Sequence, residues 1–107
     1  MTIDESLIKE IVQRIVSVSR PDRIILFGSA STGQMTKDSD IDLLVLENEL
    51  QDIRPEQLRI RKAIGNLGHP FDVIVMRTES FEETKNVIGG LAYPANKYGR
   101  VVYKIPG

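Results

Sequence analysis

Asp40 and Asp42 stand as Asp-Ile-Asp at the head of an apolar run, Ile41 to Leu46. In an extended strand alternate side chains share a face. The two carboxylates therefore lie side by side, with Ile41 and Leu43 on the other face. Close carboxylates repel unless a cation sits between them. A hard dication with oxygen ligands, magnesium first among them, suits the pair. The plainer alternative is two solvated acids at a strand start. Gly28-Ser29 directly follows a second apolar run, Ile24 to Phe27. Glycine lets a phosphate approach the backbone, and a serine at a turn offers a hydroxyl and N–H groups to an anion. The alternative is a turn with a serine cap. Asp72 opens a third apolar run, Phe71 to Met76, where a buried carboxylate is costly without a partner. An edge-strand acid paired with a nearby Lys or Arg is its plainer reading.

The surrounding elements decide whether these residues meet. Ile3, Leu7, Ile8, Ile11, Val12, Ile15 and Val16 recur at helical steps, with Thr2 and Glu5 at capping-box spacing and Pro21 marking the end. Arg23–Phe27 reads as a buried strand, residues 29–39 as a polar loop with one helical turn from Ser29, and Ile41–Leu46 as the second strand. Pro55–Asn66 reads as a helix with Leu58, Ile64 and Leu67 inward. Phe71–Met76 is the third strand. Ser80 and Glu83 suggest a capping box for a helix that buries Phe81, Ile88, Leu91 and Ala92, broken near Gly89-Gly90 and Pro94. Gly99 caps the last helical piece and Val101–Lys104 is a final strand. The alternation predicts an α+β (α/β-like) fold, a small mixed β-sheet of about four strands with helices packed on it. Strand–helix–strand from Ile41 to Met76 predicts a parallel pair. The shorter link before it favours an antiparallel pairing of the first two strands. That topology brings the heads of strands two and three, and the tail of strand one, to one edge. Asp40, Asp42, Asp72 and Gly28-Ser29 then face one cleft.

Such a cleft suits phosphoryl or nucleotidyl transfer. Two metal ions about 3.5–4 Å apart activate the attacking oxygen and neutralise a leaving pyrophosphate. Asp40 and Asp42 are placed to bridge both ions. Asp72 is placed to hold the ion beside the nucleophile and help remove its proton.

Composition narrows the field. The 107 residues carry 14 Lys+Arg against 15 Asp+Glu, no cysteine and one histidine. That length predicts one domain over residues 1–107. Disulfide scaffolds, cysteine–zinc sites and histidine-rich metal sites are excluded. No apolar run approaches a membrane span, and the acidic start MTIDESLIKE is unlike a secretory signal; a cytoplasmic protein is the expectation. Near-zero net charge disfavours nucleic-acid binding through bulk electrostatics.

The run from Gly28 to Val45, GSASTGQMTKDSDIDLLV, resembles the signature of the nucleotidyltransferase superfamily related to DNA polymerase beta. That signature is a Gly-Ser pair, a further glycine, Ser-Asp-x-Asp-Leu at the second strand, and a third acid on a later strand. Here the matching positions are Gly28, Ser29, Gly33, Ser39, Asp40, Asp42 and Asp72. Small size and the ending FEETKNVIGGLAYPANKYGRVVY are similar to the minimal nucleotidyltransferases (MNT). The resemblance implies that family's fold and a site in which Asp40, Asp42 and Asp72 hold two magnesium ions. It also implies that Gly28, Ser29, Gly33 and Ser39 bind ATP. It implies transfer of AMP to a tyrosine of a HEPN-domain ribonuclease toxin, for which such proteins serve as antitoxins. Ser31-Thr32 departs from the Ala-Arg common before the second glycine, and loss of that arginine weakens an anchor for triphosphate.

Other residues carry less. His69 precedes Pro70 and reads as a turn residue. Arg59, Arg61 and Lys62 read as a solvated helix face able to meet an acidic partner. Tyr93, Tyr98 and Tyr103 read as packing or interface residues. Met35, Thr36 and Lys37 flank the cleft. Two other functions stay open: an antitoxin that covers its toxin and carries a vestigial nucleotide site, and a nucleotidyltransferase acting on a small molecule or RNA.

Overall fold

A computed structural model of the chain describes residues 4–28 and 40–106. Its elements are α1 (Glu5–Val18), β1 (Arg23–Phe27), β2 (Ile41–Glu47), α2 (Ile53–Ile64), β3 (Phe71–Arg77), α3 (Thr78–Thr84), α4 (Ala92–Tyr98) and β4 (Arg100–Lys104). The strands form one sheet in the order β3-β2-β1-β4. β2 runs parallel to β3 and antiparallel to β1, as the lengths of the two connections require. β4 closes the other side, antiparallel to β1.

Two apolar layers hold the sheet between helices. Ile8, Ile11 and Ile15 of α1 and Ile60 and Ile64 of α2 pack on Ile24, Leu26, Ile41, Leu43, Val45, Val73 and Val75. On the opposite face, Phe81 of α3 and Ala92 and Ala95 of α4 pack on Ile25, Phe27, Leu44 and Leu46. Central β2 is thus buried on both faces from Leu43 to Glu47, which explains its near-continuous apolar run.

Several local expectations are corrected. Asp4 caps α1, accepting from the Ser6 N–H at 2.9 Å; Thr2 lies outside the described residues. Val16 is exposed, because the buried stripe follows Ile8, Ile11 and Ile15. Leu58 is 52% exposed, and Ile60 takes the inward place assigned to it. Glu56, Ile60 and Ile64 repeat every four residues, and Leu58 falls outside their stripe. α3 starts at Thr78 with no gap after β3, so Ser80 lies inside it and accepts from the Thr84 hydroxyl. Ile88 is 80% exposed, on the turn between α3 and α4. Pro94 breaks nothing: it is the third residue of α4, where its missing N–H has no helical partner to lose. Gly99 does cap α4, donating to Ala95 O at 3.0 Å.

Candidate active site

The register settles which acids meet. Phe27 of β1 pairs with Asp42 of β2, and Asp42 pairs with Asp72 of β3. Asp42 shares the α3–α4 face with Leu44 and Leu46, while Ile41 and Leu43 are buried in the opposite layer. Asp40 sits exposed, one residue ahead of β2. Both antecedents of the predicted convergence hold: parallel β2–β3 and antiparallel β1–β2.

Gly28 follows β1 with φ +71°. A side chain there meets two obstacles. The left-handed conformation disfavours any Cβ. A Cβ would also overlap Asp42 Oδ2 and lie 3.2 Å from Asp42 Cγ. The backbone of Gly28 therefore packs directly against the Asp42 carboxylate, and glycine is required for both reasons.

The electrostatics match the crowding. Burial pushes the Asp42 carboxyl above the ordinary carboxylate range, and the charges of Asp72 and Asp40 push it further. A dication among these oxygens would relieve all three effects, so the donor set fits magnesium. The cluster is nevertheless not closed. Among the described residues no three His, Asp or Glu side chains converge as a ready ligand set. Asp72 Oδ1 instead lies 3.4 Å from the Arg61 guanidinium, which also donates to Val73 O at 3.3 Å. Arg61 reaches round edge strand β3 from α2 to do so. The plainer reading of Asp72 as an edge acid with a basic partner is thus realised alongside its alignment with Asp42.

Ser29, Gly33 and Ser39 lie outside the described residues, as do Ser31, Thr32, Met35, Thr36 and Lys37. His69 sits in the turn before β3, beside a cavity of about 250 Å³ that Arg61 also lines. Tyr93 and Tyr98 flank the Lys97 ammonium, with ring centroids 5.6 and 5.4 Å away. Tyr103 packs on the α1–α2 layer. The sequence marks Arg61 as able to meet an acid and Asp72 as able to meet a base, but not that the two meet each other, because a helix-surface arginine carries no mark of the strand edge it reaches.

The comparisons with known proteins agree with this fold. A model of the nucleotidyltransferase domain matches residues 5–92. The chain is 28% identical over 90 residues to a provisionally named protein adenylyltransferase of Methanocaldococcus jannaschii, covering 75% of this chain and 90% of that protein. A toxin–antitoxin structure with AMP-PNP superimposes with a TM-score of 0.70 at 21% identity, over 92% of this chain and 73% of the other. A Shewanella oneidensis complex of MNT antitoxin with tri-AMPylated HEPN toxin gives 0.63 at 19%, over 96% and 74%. Both share the fold. No described helix is long and apolar enough to cross a membrane. Because the domain model runs from the first residue of α1 to the first of α4, the chain belongs to the nucleotidyltransferase domain family and is an enzyme of nucleotidyl transfer.

Proposed function

We propose that this chain transfers AMP from ATP to a hydroxyl of a partner protein, and that the acceptor is a tyrosine of a HEPN-type toxin, making the chain an antitoxin. The carrying observation is the register that sets Asp42 opposite Asp72, with Gly28 packed beneath the Asp42 carboxylate. The name of the Methanocaldococcus relative and the AMPylated toxin beside its MNT antitoxin in Shewanella support the acceptor class.

In this reading Asp40, Asp42 and Asp72 are the residues that would hold magnesium, two ions when fully loaded. The metal supplies Lewis-acid stabilisation of the α-phosphate and the departing pyrophosphate. Asp72 accepts the proton of the attacking hydroxyl. The oxygen forms a bond to the α-phosphorus as the bond to pyrophosphate breaks. Gly28 admits the triphosphate close to the backbone, and Ser29, Gly33 and Ser39 donate to it. Asp72 must leave Arg61 to take this part. The chain works as one nucleotidyltransferase unit in the cytoplasm, where ATP and magnesium are supplied.

Intact mass spectrometry of the co-purified partner tests the proposal, with ATP and magnesium and with Asp42→Asn in parallel. AMP additions with wild type alone are expected. A stable complex with no mass gain favours the occlusion reading, which the Arg61–Asp72 contact also suits. That reading requires an Asp40→Asn/Asp42→Asn variant to neutralise the partner in cells as well as wild type does.

A further inference from the structure

At the far end of β2 from the aspartates stands Glu47, 7% exposed. Among the described residues nothing donates a hydrogen bond to its Oε2. Burial pushes its carboxyl upward, against a weaker opposing pull from Arg59. Arg59 is itself engaged by Glu56, one turn back on α2 and also buried. A carboxylate withdrawn from water without a partner is costly. Folds keep such groups where something else completes them.

The space beside Glu47 is a cavity of about 470 Å³, bounded by Val18, Ser19, Asn48, Glu56 and Arg59. Arg20 is its other cation, and Glu49 adds a further acid. Val18 and Arg59 are shared with an adjoining groove that continues over Pro55, Leu58 and Ala63, with Lys62 at its side. The large exposure of Leu58 is therefore part of a surface continuous with the buried acid. Acid at the bottom and apolar groove alongside call for a cation with apolar neighbours.

We propose that this cavity receives an arginine side chain of a partner protein, with its guanidinium on Glu47 and its apolar neighbours along the Val18–Leu58 groove. A guanidinium is more weakly hydrated than an ammonium, so it approaches a buried carboxylate at lower cost. Glu56 pairs with Arg59 and so offsets much of its charge toward an incoming cation. The groove distinguishes a protein segment from free arginine, which has nothing to lay there. The inference does not depend on the nucleotidyl-transfer reading, because the site lies at the opposite end of β2.

The test titrates the isotope-labelled chain with Nα-acetylarginine amide and with its citrulline analogue, which has the same shape and no charge. Saturable shifts at the amides of Ser19, Asn48 and Glu49 are expected with arginine alone. Glu47→Gln should weaken binding at least about tenfold, the usual loss for a charged hydrogen-bonding partner. The peptide acetyl-Leu-Arg-Leu-amide should bind at least about tenfold tighter than the single residue, with Leu58→Ser cancelling the gain. Equal response to citrulline in the unaltered chain overturns the proposal, whatever the variants do. So does a response that never saturates, which would mean a water-filled cavity only. A failed peptide arm with a working arginine arm overturns the protein partner and leaves a small guanidinium ligand.

Discussion

Replacing Gly28 by alanine separates what the active edge needs from what the fold needs. The methyl group enters at φ +71°, which disfavours alanine by about 1–2 kcal/mol relative to glycine. At about 4–8 °C per kcal/mol for a domain of this size, melting falls by roughly 5–15 °C. The same methyl overlaps Asp42 Oδ2 and must displace it by about 1 Å to reach ordinary contact. Magnesium holds its ligands at about 2.0–2.1 Å with little angular tolerance, and a misplacement of that size costs about 100-fold in rate. Gly68 supplies the control. It has φ +86° and, among the described residues, nothing within 4 Å of an added Cβ. Gly68→Ala should therefore lose only the stability that the left-handed conformation costs and keep its activity. The assay is the initial rate of AMP incorporation, read beside a thermal melt, for both variants. If Gly28→Ala retains a rate within twofold of Gly68→Ala, the contact with Asp42 has no catalytic meaning and the argument fails.

Other substitutions have opposite signs on stability and function. The folded Asp42 carboxyl lies above its unfolded value, so its ionisation disfavours folding; wild-type stability declines as pH rises from about 4 through the raised value. Asp42→Asn should melt higher than wild type at pH 8 without metal, yet transfer no AMP; a lower melting point contradicts the assigned strain. Arg61→Ala frees Asp72 from an exposed ion pair. It should tighten magnesium binding by up to about fivefold in calorimetry, since such pairs contribute up to about 1 kcal/mol; weakened binding would make Arg61 an ally of the metal site. Gly99→Ala thrusts a methyl onto Ala95 O and Ile25 Cγ2 at an ordinary φ of −77°. It should destabilise by about 1–3 kcal/mol from overpacking alone, measurable by urea unfolding, with no effect on ATP affinity.

The sequence made the sheet legible because connection lengths dictate strand direction: a whole helix fits between Leu46 and Phe71, and a parallel return needs one. The Asp-x-Asp alternation likewise carries its own geometry, since a strand has only two faces. Helix faces were harder to read. Leu58 and Ile60 are both apolar, and only contact with the sheet shows which stripe turns inward. Ile88 looked like a core position until the Gly89-Gly90 turn carried it outward. Ser80 and Glu83 had capping spacing, but β3 passes straight into α3 and made the cap unnecessary. The partner of Arg61 and the burial of Glu47 were illegible for a different reason. Their environments are made by residues far along the chain, Asp72 for one and Val18 and Glu56 for the other, and no local pattern announces such meetings.

β2 carries a perturbed carboxylate at each end, Asp42 and Glu47, five residues apart. That is about 16 Å along an extended strand. At this span two charges interact by about 1 kcal/mol at an effective dielectric constant of 20, and by a few tenths once salt screens them. The strand between them, Leu43 to Leu46, is buried on both faces, so a shift of either end meets a packed core. The two ends are therefore insulated from each other. Effects of Asp42→Asn and Glu47→Gln on stability should sum to within about 0.5 kcal/mol. One rigid strand thus serves as a mount for two separately tunable devices, and selection can alter what the chain docks against without disturbing what its aspartates do.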